Sequence, residues 1–446
     1  MRTGATPGET VSDEAILEAV AAEAGWMEDL LVRLVEAPTT LGDEEAGQRI
    51  MEQALADCGL EPRSVYLDAG TLRGAEGASP FSWDVKAKRN VVAGWSARGS
   101  GGSSLILNGH VDVVPPAAEA LWTNPPFRAV PDGDWLYGRG AGDMKAGLAA
   151  MTGAVRVLKS AGYDPAADVQ LQSVVEEECT GHGTLQCLLD GARAEACVIT
   201  EPHPDHITVA QVGVLWFHVE LAGVPAHAAR ASHLGFNAID AAVEVLAALR
   251  RHEAQLNENP PPPFDAFEHP INLNPGVISG GDWPSTVAAT CTLSCRIGHY
   301  PGQDPGEARA GVEAAVAEAV AASPRLAENP PRVRYDGFSC EGSVVDANEP
   351  LVQTLSGAYA RLHGERPPAL ATTATTDVRH FVRMGIPAVC FGPRGEGIHG
   401  IDERVSRRSV VESAQVLGLF ARAGFGRSDL PKPALSALSL QPRTKS

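Results

Sequence analysis

The sequence predicts an α/β protein in which helices flank a mixed sheet and a smaller α+β domain is inserted. Short apolar runs alternate with helical patterns in residues 1–204 and again in residues 334–446. Between them, in residues 205–333, the runs alternate polar and apolar side chains. A chain of 446 residues also exceeds the size at which one core keeps growing. We therefore expect a discontinuous larger domain, 1–204 with 334–446, that is interrupted by an insertion over 205–333.

The larger domain carries the pattern of a buried sheet with helices on both faces. Apolar side chains at helical spacing predict helices at residues 13–37, 44–58, 145–161, 350–362 and 406–423. Short apolar runs predict buried strands at residues 90–95, 104–108, 169–175, 196–200 and 388–391. Glycine, serine and aspartate predict a long loop at 67–88. The tail, residues 427–446, is expected to be disordered.

The insertion has a different pattern of polar and apolar residues. Alternation predicts strands at residues 207–221, 271–279 and 286–297, and helical patterns occur at residues 237–251 and 307–322. The resulting order β-α-β-β-α is typical of a small α+β domain built on one antiparallel sheet.

Composition excludes several partner classes. The net charge of −19 disfavours nucleic acid and anionic membranes, because both bind basic surfaces. No apolar stretch is long enough to predict a transmembrane helix, and the first residues do not resemble a signal peptide. The eight cysteines have no disulfide-framework spacing, so we expect reduced thiols and a cytoplasmic protein.

Five short segments together offer the ligands of two metal ions. They are His110-Val111-Asp112, residues 138–145 around Asp143, Glu176-Glu177-Glu178, Thr200-Glu201-Pro202 and Ile398-His399-Gly400. Imidazole combined with carboxylate is the ligand chemistry of zinc and similar ions. A carboxylate that stays unbound can serve as the base in metal-assisted hydrolysis.

Each segment has an ordinary explanation when it is taken alone. Asp143 could cap a helix, and the three adjacent glutamates could be a solvated acidic cluster. The glycines before Asp143 resemble half of a dinucleotide-binding fingerprint, but they do not follow a clear predicted strand. The metal-site hypothesis depends on the five segments occurring together, several of them directly after predicted strands.

Strand ends favour particular roles for two of these residues. The apolar strand 104–108 places His110 and Asp112 at its carboxyl end, where ligands collect in open α/β sheets. His110 is a candidate metal ligand. Asp112 is suited to hydrogen-bond the other imidazole nitrogen and fix its tautomer.

The motifs resemble those of the di-zinc aminoacylase family, which includes acetylornithine deacetylases, succinyl-diaminopimelate desuccinylases and glutamate carboxypeptidases. The matching runs are HVDVVP, GRGAGDMKAG, EEECTGHGT, TEP, PAHAAR with GFNAI, and IHGIDERV. They occur in the family's order and span residues 32–423. The resemblance implies a zinc-peptidase catalytic domain whose insertion acts as a lid or dimerisation domain.

The resemblance also implies roles for the acidic residues and histidines. Asp143 would bridge two zinc ions, with cobalt or manganese as substitutes, and a cis peptide would join it to Met144. The remaining ligands would be His110 and Glu201 on one ion, with Glu178 and His399 on the other. Glu177 would be the general base.

Three residues of the insertion complete the expected site. The resemblance implies that His227 stabilises the oxyanion, from the lid or from a partner subunit, and Asn237 is a weaker candidate for that task. Arg296 would bind a substrate carboxylate; a solvated arginine at a strand end is the alternative. The resemblance further implies a homodimer formed through the inserted domain.

The expected function is metal-dependent amide hydrolysis of a small molecule, with N-acyl amino acids as the first substrate class. A glutamate-type carboxypeptidase is one alternative. A specialised amidase or deformylase for a non-amino-acid amide, such as a formylated pyrimidine amine, is another. A binding protein that has lost catalysis is disfavoured because the ligand and base positions are all filled.

Overall fold

The computed structural model describes residues 12–97 and 101–425. Its helices are α1 Asp13–Ala22, α2 Ala24–Val35, α3 Glu45–Asp57, α4 Ala69–Gly74, α5 Ala146–Ser160, α6 His182–Leu189, α7 Ala231–Leu234, α8 Ala238–Leu256, α9 Pro305–Ala322, α10 Pro324–Glu328, α11 Pro350–His363, α12 Val378–Arg383 and α13 Arg407–Phe425. Its strands are β1 Glu61–Tyr66, β2 Arg89–Trp95, β3 Leu105–His110, β4 Val130–Asp132, β5 Trp135–Tyr137, β6 Val169–Val174, β7 Ala196–Ile199, β8 Ile207–Gln211, β9 Gly213–Ala222, β10 Leu273–Gly280, β11 Thr290–His299, β12 Arg332–Arg334, β13 Ser339–Cys340, β14 Ser343–Val344, β15 Ala369–Thr372, β16 Ala388–Cys390, β17 Gly395–Glu396 and β18 Arg404–Ser406.

The large sheet is mixed and helix-flanked, which confirms the predicted fold class. Within the described ranges its order is β1-β2-β6-β3-β7-β16-β8-β14, and β15 pairs with β8. Strand β3 lies parallel to both β6 and β7, whereas β1 and β2 are antiparallel. Leu105 and Leu107 enter the core shared with α5 and α13, while Ile106 enters the core shared with α12. Both faces are buried, which explains the continuous apolar runs.

The small sheet is antiparallel and has one face covered by helices. Its order is β10-β11-β9-β12, with β13 also paired to β9. Side chains of α8 and α9 share a core with Leu215, Phe217 and Val219 of β9. The intervening side chains of β9 are only partly buried, so the strand keeps the alternation that its sequence shows.

Sheet membership changes near, but not at, the predicted ends of the insertion. Strand β8, inside residues 205–333, belongs to the large sheet, and β13, after residue 333, belongs to the small sheet. The single alternating run 207–221 concealed this change, because it consists of two strands separated at Val212. The division into domains stays a prediction.

A third sheet connects distant parts of the chain, in the order β17-β18-β5-β4.

Two elements differ locally from the prediction. The helix expected at 13–37 is two helices, because the chain breaks at Glu23, and the loop expected at 67–88 contains α4, which Asp68 caps. The tail, 427–446, lies outside the described residues.

Candidate metal and catalytic site

Three neighbouring parallel strands bring the first functional side chains to one edge of the large sheet. His110 is the last residue of β3, the acidic triplet begins shortly after β6, and Glu201 follows β7. Because β6, β3 and β7 are adjacent, their carboxyl ends meet.

His110 lies among three carboxylates. Its Nε2 atom is 3.1 Å from Asp143 Oδ1, 3.8 Å from Glu177 Oε2 and 3.8 Å from Glu201 Oε1. Its Nδ1 atom is 2.8 Å from the main-chain carbonyl of Asp112, an arrangement that leaves Nε2 for a metal ion.

His399 completes the cluster from the other end of the sequence. Its Nε2 atom is 3.1 Å from both carboxylate oxygens of Glu178 and 3.4 Å from Asp143 Oδ2. The structure therefore brings together the predicted ligands and the predicted base, with Asp143 between the two imidazoles.

The side chains of this cluster perturb one another. Burial opposes charge on Asp143, but hydrogen bonds to His110 and His399 outweigh it and hold the pKa of Asp143 well below its ordinary value. Burial also opposes charge on His399, yet the carboxylates of Glu178 and Asp143 raise its pKa to about 11. In Glu177 burial dominates, and neighbouring negative charge adds to it, so its pKa lies well above the ordinary value.

Asp112 has a different partner from the one predicted. Its carboxylate accepts hydrogen bonds from the backbone N–H groups of Glu177 (3.3 Å) and Glu178 (3.1 Å), whereas it lies 3.7 Å from His110 Nδ1. The main-chain carbonyl of Asp112 makes the imidazole contact instead, at 2.8 Å from His110 Nδ1. Asp112 therefore orients two parts of the site, the His110 imidazole and the acidic loop.

Glu176 is the member of the triplet that faces away from the cluster. Its carboxylate accepts hydrogen bonds from Trp83 Nε1 (2.7 Å) and Thr180 Oγ1 (2.9 Å), and it pairs with Lys88 at 2.9 Å. Burial opposes this charge, but the His182 imidazole, 3.4 Å away, and the Lys88 ammonium prevail and lower the pKa of Glu176 to about 2. Trp83 and Lys88, both in the predicted loop 67–88, thus anchor the acidic loop.

The turn that carries Asp143 combines left-handed glycines with an unusual peptide. Gly140 has φ of 77°, and the peptide between Asp143 and Met144 is cis, as the resemblance implies. Lys145, which follows, is fully buried and donates to Ala37 O over 2.9 Å. Burial lowers the pKa of Lys145 to about 7.

The three predicted residues of the insertion do not join the cluster in this chain. His227 is exposed, and its Nδ1 atom accepts a hydrogen bond from the N–H of Ala229. Asn237 caps α8 by accepting from the N–H of Ile239. Arg296 is partly buried in β11, and in the described part of the chain its guanidinium has no hydrogen bond or ion pair. Burial lowers the pKa of Arg296.

Sequence reasoning missed a second group of buried charges behind the acidic loop. Asp377, Arg379 and His380 are almost inaccessible and surround Gly181. Arg379 donates hydrogen bonds to Thr376 O (2.6 Å) and to Thr180 O (3.1 Å). The charged run Thr376-Asp377-Val378-Arg379-His380 was the available signal, but nothing in its spacing ties it to the acidic loop.

The cluster fits divalent ions chemically. Two groups of three residues each place their ligand atoms close enough together to hold one ion per group. They are His110 with Glu177 and Glu201, and His110 with Asp143 and Glu178. Burial and mutual repulsion raise the pKa values of Glu177 and Glu201, and a bound cation would offset both effects. Imidazole nitrogen with carboxylate oxygen is a donor set that suits zinc, cobalt and manganese.

Residues 106–423 match the model of the peptidase family M20/M25/M40. The chain belongs to this family. Its membership confirms the predicted family resemblance, and its similarity to a deformylase and to a desuccinylase confirms the prediction of a metal-dependent hydrolase of amide bonds. Among the described helices, none has the length and apolar character required to cross a bilayer.

This M20 chain is similar in sequence to two bacterial enzymes. It is 29% identical over 365 residues to N-formyl-4-amino-5-aminomethyl-2-methylpyrimidine deformylase of Bacillus subtilis (strain 168), covering 76% of this chain and 84% of the relative. It is 30% identical over 357 residues to succinyl-diaminopimelate desuccinylase of Paracoccus denitrificans (strain Pd 1222), covering 77% and 88%.

Solved structures share the fold. A dipeptidase from Saccharomyces cerevisiae superposes with a TM-score of 0.75 at 13% identity, covering 93% of this chain and 99% of that chain. An M20 metallo-carboxypeptidase from Sulfolobus solfataricus gives 0.69 at 15% identity, covering 89% and 98%. At these identities the likeness concerns the fold alone.

Proposed function

We propose that this chain removes the acyl group from an N-acyl amino acid and that Glu177 is the general base. The observation that carries the proposal is the position of Glu177. It is buried, its Oε2 atom lies 3.8 Å from His110 Nε2, and its Oε1 atom has no hydrogen-bond partner among the described residues. A carboxylate with a free oxygen and a raised pKa can accept a proton and return it.

The other cluster residues would hold two zinc ions. We assign His110 and Glu201 to one ion, Glu178 and His399 to the other, and Asp143 to both. Bound divalent ions lower the pKa of a coordinated water and polarise the scissile carbonyl. Glu177 takes up the proton released by the attacking water and delivers it to the leaving amine nitrogen. Asp112 orients His110 and the loop of Glu177.

Replacement of the base tests this assignment. In Glu177→Gln the amide keeps the size of the side chain but cannot accept the proton, so we expect kcat to fall about 10²–10⁴-fold. Zinc content, measured by atomic emission, should equal that of the parent protein. Turnover within about threefold of the parent would refute the role of Glu177.

A second candidate substrate class is a formylated amine that lacks an α-carboxylate. The similarity to the pyrimidine deformylase favours it. A panel of formyl, acetyl, succinyl and benzoyl amides, with and without an α-carboxylate on the amine, distinguishes the two classes. Hydrolysis confined to carboxylate-bearing amines supports the N-acyl amino acid class, and faster turnover of the others supports the deformylase class. A glutamate-type carboxypeptidase has no additional support.

We also propose a homodimer formed through the insertion. Strand β10 is an edge of the small sheet, and on it Val277 is 59% and Ile278 57% exposed. An edge with exposed apolar side chains can pair with another copy. Sedimentation of the purified chain tests this, and a monomer at micromolar concentration would contradict it. The cytoplasmic location stays a prediction; all eight cysteines are free and buried.

A further inference from the structure

Glu403 lies four residues after His399 in the sequence, and only 1% of it is exposed. Its carboxylate accepts hydrogen bonds from three backbone N–H groups of the turn that carries Asp143. The distances are 3.0 Å to Gly140, 2.9 Å to Gly142 and 3.0 Å to Asp143. A tight turn leaves such N–H groups without secondary-structure partners, so Glu403 satisfies them and fixes the main chain of Asp143.

Arg139 joins the same two segments through its side chain. Its Nη1 atom donates to Glu403 Oε2 over 2.6 Å, and its Nη2 atom donates to Gly400 O over 2.9 Å. The guanidinium also lies over the Trp122 ring, 5.1 Å from its centroid. Gly400 directly follows His399, so Arg139 attaches the turn to the loop of the second histidine.

Backbone contacts reinforce this connection. Strand β5 precedes the turn and pairs with β18, which follows the loop, so that Arg404 faces Tyr137. A Cβ atom on Gly142 would lie only 3.0 Å from the Cα atom of Gly395. The two segments therefore pack backbone against backbone, and the buried ion pair lies at their junction.

We infer that Arg139 and Glu403 are positioning residues whose ion pair sets the distance between Asp143 and His399. They would thereby determine the affinity for the divalent ion that Asp143 and His399 share. The inference rests on the proposed metal-dependent function. Asp143 is assigned to both ions, but His110 and Glu201 lie at strand ends of the large sheet and not at this junction, so the ion that they hold depends less on it.

The test is zinc binding by the full-length Glu403→Gln protein. Zinc is removed from the protein and then titrated back in competition with a chromophoric chelator, which resolves two affinities. We expect one affinity to fall about 10–100-fold, as is usual when a partner of a metal ligand is lost, and the other to change less than about threefold. Excess zinc should restore most of kcat with KM unchanged.

Glu396→Gln is the matched control. Glu396 lies in the same loop and forms a partly exposed ion pair with Arg404; among the described residues its carboxylate has no hydrogen bond or ion pair with the turn or with Arg139. Its two zinc affinities should equal those of the parent. Equal losses at both sites in Glu403→Gln, or no loss at either, would overturn the inference. A parent protein that binds no zinc would instead refute the proposed function.

Arg139→Lys provides a second variant if Glu403→Gln does not fold. A lysine keeps a positive charge beside Glu403 but cannot also reach Gly400 O with a second N–H in the same geometry. The same zinc affinity should fall, by a smaller factor. Unchanged affinities in folded Arg139→Lys would also contradict the inference.

Discussion

At the edge of the large sheet, His110 and His399 each lie 3.1 Å from a carboxylate oxygen of one common cluster. The predicted side chains of the insertion behave differently. His227 and Asn237 bond to nearby backbone N–H groups, and Arg296 has no polar partner in the described part of the chain.

The difference has a physical origin. Carboxylates that are buried together, such as Glu177 and Glu201, must be neutralised by positive groups. Their positions are therefore determined within a single chain, as is that of the half-exposed His399, which pairs with Glu178 and Asp143. A partly buried or exposed residue such as Arg296 or His227 carries no such requirement. Its partner can be a substrate, another copy of the chain or solvent. Substitutions in each region can show whether the insertion contributes to the same chemistry as the large sheet.

Within the insertion, the largest effect is expected for His227→Ala. If the imidazole donates a hydrogen bond to the oxyanion in the transition state, its loss should lower kcat about 10²–10³-fold with little change in KM. Steady-state kinetics on the best substrate of the amide panel measure this. His233→Ala is the control, because it is a histidine of the same insertion with no assigned role.

A result in which His227→Ala and His233→Ala both retain parental kcat would remove the insertion from catalysis. The exposed position of His227 also allows a complementation test. If the imidazole acts across a dimer, mixing His227→Ala with inactive Glu177→Gln should restore partial activity, because one site of the mixed dimer is then complete. No recovery after subunit exchange would contradict action across the dimer.

The next effect concerns the stability of the large-sheet site. An alanine at Gly181 would clash with Arg379 and come within 2.5 Å of Asp377 Oδ1 and His380 Nε2, at a φ of 72°. We expect Gly181→Ala to lower the free energy of unfolding by about 2–5 kcal/mol, from overpacking and left-handed strain together. Chemical denaturation followed by circular dichroism measures it.

Gly162→Ala separates the two causes. Gly162 also has a positive φ, 76°, but an added Cβ would meet nothing within 4 Å. It should cost only about 1–2 kcal/mol, the strain of the backbone alone. Equal losses in the two variants would mean that the buried charges around Gly181 are not tightly packed.

Much of the large-sheet site was predictable from sequence because it consists of local signals. His110 and Glu201 follow predicted strands, which places them at the edge of the sheet, and the glycines before Asp143 predict a strained turn. The contacts of Glu403 with Gly140 and Gly142 were not predictable, because they join segments that are distant in sequence and have no periodicity in common. The same applies to the junction of Arg379 with Thr180.

The boundaries of the insertion were less predictable for another reason. A run of alternating residues does not reveal where one strand ends and the next begins. The alternation therefore did not show that the chain passes from the large sheet to the small sheet at Val212. Similarly, the partner of His110 Nδ1 depends on backbone direction after β3. A main-chain carbonyl and a carboxylate from the same residue, Asp112, cannot be distinguished by residue type.

The smallest effect is expected for Arg296→Gln, and it decides what the insertion recognises. A guanidinium that holds a substrate carboxylate equally in the ground and transition states contributes uniform binding, so KM should rise about tenfold while kcat stays constant. Comparing one acyl group on amines with and without an α-carboxylate measures this. A rise in KM only for carboxylate-bearing amines would assign Arg296 to specificity. Equal KM values for parent and variant on both amines would leave Arg296 as a residue of the small sheet with no part in substrate binding.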